Sequence, residues 1–203
     1  MGRYGRSAVV AGAASLFLLS GCGLVGTPKA LLDETTETMT VTSPMVDQRV
    51  MSAQYTCDGA GQSPPIFWSG MPTDTKSVAL VVDDAAAPIT PRVYWIVFNI
   101  SPTTSDLQAG ALPTGALQAR NSTGRVGYDP PCPPAGGSHR YRFTIYALNS
   151  KVNQPNGTAM KAAWTAIAQR VIARGRLTAT PRLTRPPAPD RGPRLTTPAR
   201  HSP

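Results

Sequence analysis

Apolar and polar positions alternate with different periods in different parts of the chain. Ser77–Val82 (SVALVV) is a continuous, mostly β-branched run, and Val93–Ile100 (VYWIVFNI) is a second. Both are short for helices and read as strands buried on both faces. From Arg140 to Leu148 the pattern alternates, so Tyr141, Phe143, Ile145 and Ala147 share one face of a strand. Met39–Ser43 alternates weakly and stops at Pro44, and Ile66–Trp68 is a brief apolar run before Gly70-Met71-Pro72. The period then lengthens. Between Ala159 and Arg174, Trp164, Ile167, Ala168, Val171 and Ile172 fall at i, i+3, i+4, i+7 and i+8, which predicts one amphipathic helix. Thr158 is its expected N-cap and Gly175 its expected stop. Leu177–Thr180 predicts a short closing strand.

Turn signals separate these runs. The segment from Tyr55 to Pro65 (YTCDGAGQSPP) combines Asp-Gly, Gly and Ser-Pro-Pro. No strand–helix alternation and no internal repeat appears. The expected fold is therefore mostly β over residues 39–180, a sheet sandwich with one helix near the C-terminal end, and not a doubly wound sheet. Two flanking segments differ in composition. Residues 22–38 are polar and Thr/Glu-rich, as in a tether. Residues 181–203 are dominated by Pro, Arg and Thr with no apolar period, and are expected to be a disordered tail.

The N-terminal end changes the picture most. Arg3 and Arg6 precede an apolar stretch, Ala8–Leu19, that is shorter than the about 20 residues of a membrane span. This is the pattern of a secretory signal. It ends in Leu19-Ser20-Gly21-Cys22, which resembles a bacterial lipobox. Residues 1–21 are accordingly expected to be a lipoprotein signal peptide. Cys22 is then the lipidation site, carrying palmitate-type acyl chains that hold the protein on the extracytoplasmic face of a bacterial cell membrane. The other readings are an ordinary cleaved signal and an uncleaved anchor. With Cys22 assigned to lipid, Cys57 and Cys132 remain, an even pair in an oxidising compartment. A disulfide between them is expected, the other reading being two buried thiols.

Charge adds little to function. The chain carries a formal +9, but Gly23–Thr180 holds 13 Lys/Arg and 10 Asp/Glu, a net of +3. The excess basic residues sit at the ends, so nothing suggests a nucleic-acid face. His201 lies in the tail, and no cysteine or histidine cluster has metal-ligand spacing, so neither a metal nor another cofactor is expected.

Two segments offer chemistry. In Val82-Asp83-Asp84-Ala85-Ala86-Ala87-Pro88, adjacent acids at the end of a buried strand face opposite sides, so one can reach a cavity while the other caps the turn. In Pro130-Pro131-Cys132-Pro133-Pro134, four prolines stiffen a loop, and Gly136-Gly137 turn the chain into His139. His139 and Tyr141 then project to one side of the following strand. A stiff wall, an imidazole, a phenol and a carboxylate from another strand end make a small polar pocket.

Four pieces occur in the order seen in one known family: Thr56–Trp68 (TCDGAGQSPPIFW), Val81–Pro88 (VVDDAAAP), Tyr94–Ile100 (YWIVFNI) and Pro130–Leu148 (PPCPPAGGSHRYRFTIYAL). The chain resembles the phosphatidylethanolamine-binding protein family, in its bacterial Raf-kinase-inhibitor-like branch. That resemblance implies a β-sandwich with a large central sheet, a helix near the C-terminus, and a pocket for phosphate, sulfate or a phospholipid headgroup. It assigns Asp84, His139 and Tyr141 to that pocket and the loop bearing Cys132 to its rim. Three positions depart from the family pattern. Tyr94 stands where a second pocket histidine is usual, Ala86 replaces the second acid of the loop, and Pro130 replaces a glycine. A tyrosine still donates a hydrogen bond but brings no charge at neutral pH, so altered anion selectivity is expected.

Three functions follow in order. The first is a lipid-anchored module holding a small anionic ligand or headgroup through Asp84, Tyr94, Cys132, His139 and Tyr141. The second is an inhibitor or scaffold for an envelope protease, since family relatives bind kinases or proteases through this face. The third, a distant one, is a hydrolase built on a Cys132–His139 pair, which requires a free thiol. Trp68 and Trp95 are expected in the core.

Overall fold

The computed structural model describes residues 37–47, 50–86, 91–132 and 139–181. The signal segment, Cys22, most of the tether, Pro88, Pro133, Pro134, Gly136, Gly137 and the tail with His201 lie outside them. Among the described residues ten strands are formed: β1 (Thr40–Thr42), β2 (Val46–Asp47), β3 (Val50–Met51), β4 (Ile66–Ser69), β5 (Ser77–Asp84), β6 (Arg92–Ile100), β7 (Asp106–Leu107), β8 (Leu117–Gln118), β9 (Tyr141–Leu148) and β10 (Val171–Pro181). A helix, α1 (Met160–Ala168), precedes the last strand.

The strands form two sheets. The large one has the order β2-β3-β10-β9-β5-β6-β8 and the small one β1-β4-β7. Both continuous apolar runs occupy the interior of the large sheet. Every residue of β5 is buried, as a strand covered on both faces requires. One face of the large sheet presents Val78, Leu80, Val82, Phe143, Ile145 and Ala147 to the small sheet, where Val41, Ile66, Trp68 and Leu107 meet them. The other face presents Ala79, Val81, Ile96, Phe98 and Tyr146 to Ala163, Ala166 and Ile167 of α1. The molecule is thus a sandwich with a helix packed on the outer face of its larger sheet. Trp68 and Trp95 are buried, as expected.

The helix differs from expectation. It ends at Ala168, and Val171 and Ile172 belong to β10. Val171 packs on the helix side of the sheet and Ile172 on the small-sheet side. Two adjacent β-branched residues reach opposite layers only from an extended chain, so the helical spacing of these two is incidental. Thr158 is not the cap: Ala159 is the N-cap and makes no side-chain capping bond, while the Thr158 hydroxyl donates to Gln154 Oε1 at 3.1 Å. Gly175 does not stop the helix either. It lies within β10, where a Cβ would sit 2.4 Å from the Met39 carbonyl oxygen. The amides of Thr38 and Met39 both donate to the Arg174 carbonyl at 3.0 Å, bringing the chain leading into β1 across this point. Glycine is there because another backbone passes over it.

Candidate functional site

The site grows from the C-terminal end of β5. Strand alternation sends Asp83 and Asp84 to opposite faces. Asp83 turns to the helix side and pairs with Arg142 of β9; Arg142 Nε donates to Oδ1 at 2.8 Å and Nη2 contacts Oδ2. Asp84 turns the other way and is 3 % exposed. Its Oδ1 accepts from the amides of Ala86 at 2.8 Å and Arg140 at 3.3 Å. Its Oδ2 lies 2.6 Å from His139 Nδ1. A carboxylate oxygen only accepts, so Nδ1 carries the proton and the other ring nitrogen, Nε2, remains for a ligand. The two acids face opposite sides as expected, but the roles differ from the expectation: Asp84 both caps the turn at Ala86 and orients the imidazole, whereas Asp83 caps nothing and pairs with Arg142.

Two phenols complete the cluster. Tyr141 pairs with Asp84 in the β5–β9 ladder, and its ring is stacked 6.1 Å from that of His139. Tyr94 meets Tyr141 edge-on with centroids 5.4 Å apart. Tyr94 reaches this face through a bulge. Val82 pairs with Trp95 and Asp83 with Val93, which leaves Tyr94 as the extra residue of β6. Tyr94 and Trp95 consequently both lie on the side of the small sheet, and the Tyr94 carbonyl accepts from Asp129 N–H at 3.0 Å. The Tyr141 hydroxyl is fully buried, with the Tyr94 phenol as its hydrogen-bonding neighbour. Burial first, then Tyr94 and Asp84, push its pKa well above the usual tyrosine range. The Tyr94 phenol is also raised, by burial foremost, against the opposing pull of the Arg92 guanidinium. Both hydroxyls stay protonated at neutral pH and serve as donors.

Arg92 is a component that the sequence reading missed. It pairs with Asp84 across β5–β6, its guanidinium carbon sits 5.1 Å from the Tyr94 ring centroid, and Nη2 is 3.4 Å from Asp129 Oδ2. It is half-exposed and adds a positive charge at the margin of the cluster. The signal was available: Arg92 and Tyr94 are two apart in a strand, which placed them on one face.

Cys132 is bonded to Cys57, with Cα atoms 5.2 Å apart. Cys57 N–H also donates to the Pro131 carbonyl at 3.0 Å, and the Tyr128 hydroxyl donates to the Tyr55 carbonyl at 2.8 Å. These bonds staple the first turn of the domain to the proline loop. Of the five residues expected in a pocket, Asp84, Tyr94, His139 and Tyr141 form one contact cluster, whereas the bond of Cys132 runs to Cys57. A thiol committed to a disulfide is no nucleophile, which removes the Cys132–His139 pair from the chemistry available here.

The sequence and the fold both have relatives. The profile for phosphatidylethanolamine-binding proteins matches residues 41–182. A protein of Methanothermobacter thermautotrophicus, named UPF0098 protein, is 38% identical over 136 residues, covering 64% of this chain and 89% of that one. A protein of Mycobacterium tuberculosis, named "Putative lipoprotein LppC", is 40% identical over 187 residues, covering 84% of this chain and 92% of that one. The crystal structure of Escherichia coli YbcL, described as a member of the mammalian family, superposes with a TM-score of 0.65 at 31% identity, covering 70% of this chain and 97% of that one. On the extent of these matches and the sandwich they share, this chain belongs to the phosphatidylethanolamine-binding protein family.

Proposed function

We propose that this protein is a lipid-anchored, extracytoplasmic binding protein whose Asp84–His139–Tyr141–Tyr94 cluster holds a small anion, such as phosphate or a phosphate-bearing headgroup. The observation that carries the reading is the 2.6 Å contact between Asp84 and His139 Nδ1, which leaves Nε2 as the ligand-facing nitrogen. When Nε2 is protonated it donates to an anionic oxygen, while Asp84 faces the opposite nitrogen of the imidazolium. The Tyr94 hydroxyl, kept protonated beside Tyr141, supplies a second donor. Arg92 offsets ligand charge at the margin. Proton uptake and anion capture are linked, so affinity rises as pH falls through the range in which histidines titrate.

Calorimetric titration with inorganic phosphate and with phosphoethanolamine tests this. Wild type should bind both, more tightly on the acidic side of neutrality. His139→Ala should remove the affinity and its pH dependence without unfolding the domain, and Tyr94→His should tighten binding by adding a second imidazole. Absence of binding by wild type and Tyr94→His alike would sink the reading. The anchor is supported by Leu19-Ser20-Gly21-Cys22 and by the name of the mycobacterial relative. Fatty-acid labelling should disappear in Cys22→Ala; labelling that persists would contradict it.

A further inference from the structure

An open cavity of about 310 Å³ lies beside the staple of the proline loop. None of Asp84, Tyr94, His139 or Tyr141 lines it. Its wall is made by Trp95 and Tyr128, whose rings meet edge-on 5.6 Å apart. Gln62, Ser63 and Gln118 supply its polar atoms, and Leu112, 40% exposed, stands at its rim. No charged side chain lines it. Its volume lies at the small end of the about 300–1,000 Å³ of ligand sites, enough for one ring-sized molecule.

The polar groups are oriented by the protein. The Trp95 indole only donates, and its N–H is 2.6 Å from Gln118 Oε1. The Gln118 amide is thereby fixed, with its NH₂ left as a donor. Ser63 Oγ accepts from the Gly110 amide at 3.1 Å, which leaves its own O–H free to donate. The Tyr128 hydroxyl is committed to the Tyr55 carbonyl, so Tyr128 offers its ring and not its oxygen. Each ligand class meets a different test here. An ion would find no opposite charge to receive it. A purely apolar ligand would cover the Gln118 and Ser63 donors without offering them partners. A neutral molecule with hydroxyl oxygens on its edge and C–H groups on its face satisfies both the amides and the aromatic wall.

We infer that this cavity is a binding site for a single sugar-like, neutral polyhydroxylated ring. The site is independent of the anion cluster, and its test is independent as well. The full chain, with its disulfide formed, is labelled with ¹⁵N and titrated with glucose, arabinose and myo-inositol while the indole N–H resonances are followed. Trp95→Phe identifies the reporter signal. At least one of the three should shift the Trp95 indole signal saturably, with a dissociation constant of about 1 mM. Ala111→Phe, at an exposed lining position, should fill the cavity and abolish the shift, and Gln62→Ala should weaken it several-fold with the fold intact. His139→Ala should leave it unchanged. No saturable shift with any of the three, a shift that survives Ala111→Phe, or an equal shift with inorganic phosphate would each overturn the proposal.

Discussion

Replacing both Cys57 and Cys132 by serine tests how the domain is held together. The bond closes a sequence separation of 75 residues. Loop-closure entropy for a loop of that length corresponds to about 4.5 kcal/mol of destabilisation of the unfolded chain. Measured losses are commonly smaller, and about 3–4 kcal/mol is expected here. For a chain of this size each kcal/mol moves Tm by about 2–4 °C, so the double variant should melt roughly 6–16 °C below the oxidised protein. The native geometry should survive, because Cys57 N–H to Pro131 and the Tyr128 hydroxyl to Tyr55 hold the same two segments. Thermal melts followed by circular dichroism, with and without reductant, give the answer. Reductant should lower the wild-type Tm to that of the variant and leave the variant unchanged. A variant melting within about 2 °C of oxidised wild type would refute the reasoning, since the chain-entropy term would then be missing.

Other perturbations separate the two adjacent acids and the layers around them. Asp83→Ala removes a buried carboxylate paired with the largely buried Arg142 and should cost about 3 kcal/mol in urea denaturation; Asp84→Ala should cost less, because its partner His139 is better exposed to water than Arg142. Gly175→Ala drives a methyl group into the Met39 carbonyl and should lower stability by about 1–3 kcal/mol, measured in the same way. Burial raises the phenols of Tyr94, Tyr128, Tyr141 and Tyr146, the last to about 12 from an ordinary value of 10.0. Their native form is the protonated one, so this stability is complete below pH 10.0 and is lost as pH rises through the folded-state values. Phenolate absorbance from these four should therefore appear together with alkaline loss of the circular-dichroism signal, and Tyr146→Phe should push that transition to higher pH.

The centre of the sheet is legible in the sequence because burial on both faces leaves an unmistakable mark. SVALVV and VYWIVFNI have few polar residues to confuse the reading, and β9 shows its face by alternation. That Asp83 and Asp84 face opposite sides is legible for the same geometrical reason; that Asp84 takes both the turn cap and the histidine is not, because Arg142 claims Asp83 from another strand. The end of α1 is not. Local spacing carries Val171 and Ile172 along the helical stripe, and only tertiary pairing with β9 assigns them to opposite layers. Gly175 illustrates a related limit: a glycine kept for a backbone crossing from far away in the chain looks like a helix stop. Arg92 was within reach of a period-two reading. The bulge was not, because the extra residue of β6 is defined by its partner strand.

That bulge gives position 94 an unusual freedom. Most residues of a central strand are constrained twice, by the neighbour opposite and by the layer above. Tyr94 has no opposite number in β5, and its carbonyl is tied to Asp129 outside the ladder. A substitution there changes what the cluster offers a ligand without shifting the register of the strands that carry Asp84 and Tyr141. The fold thus keeps a replaceable tooth in an otherwise fixed gear, and under the proposed function selectivity can drift at that one residue while the scaffold stays as it is.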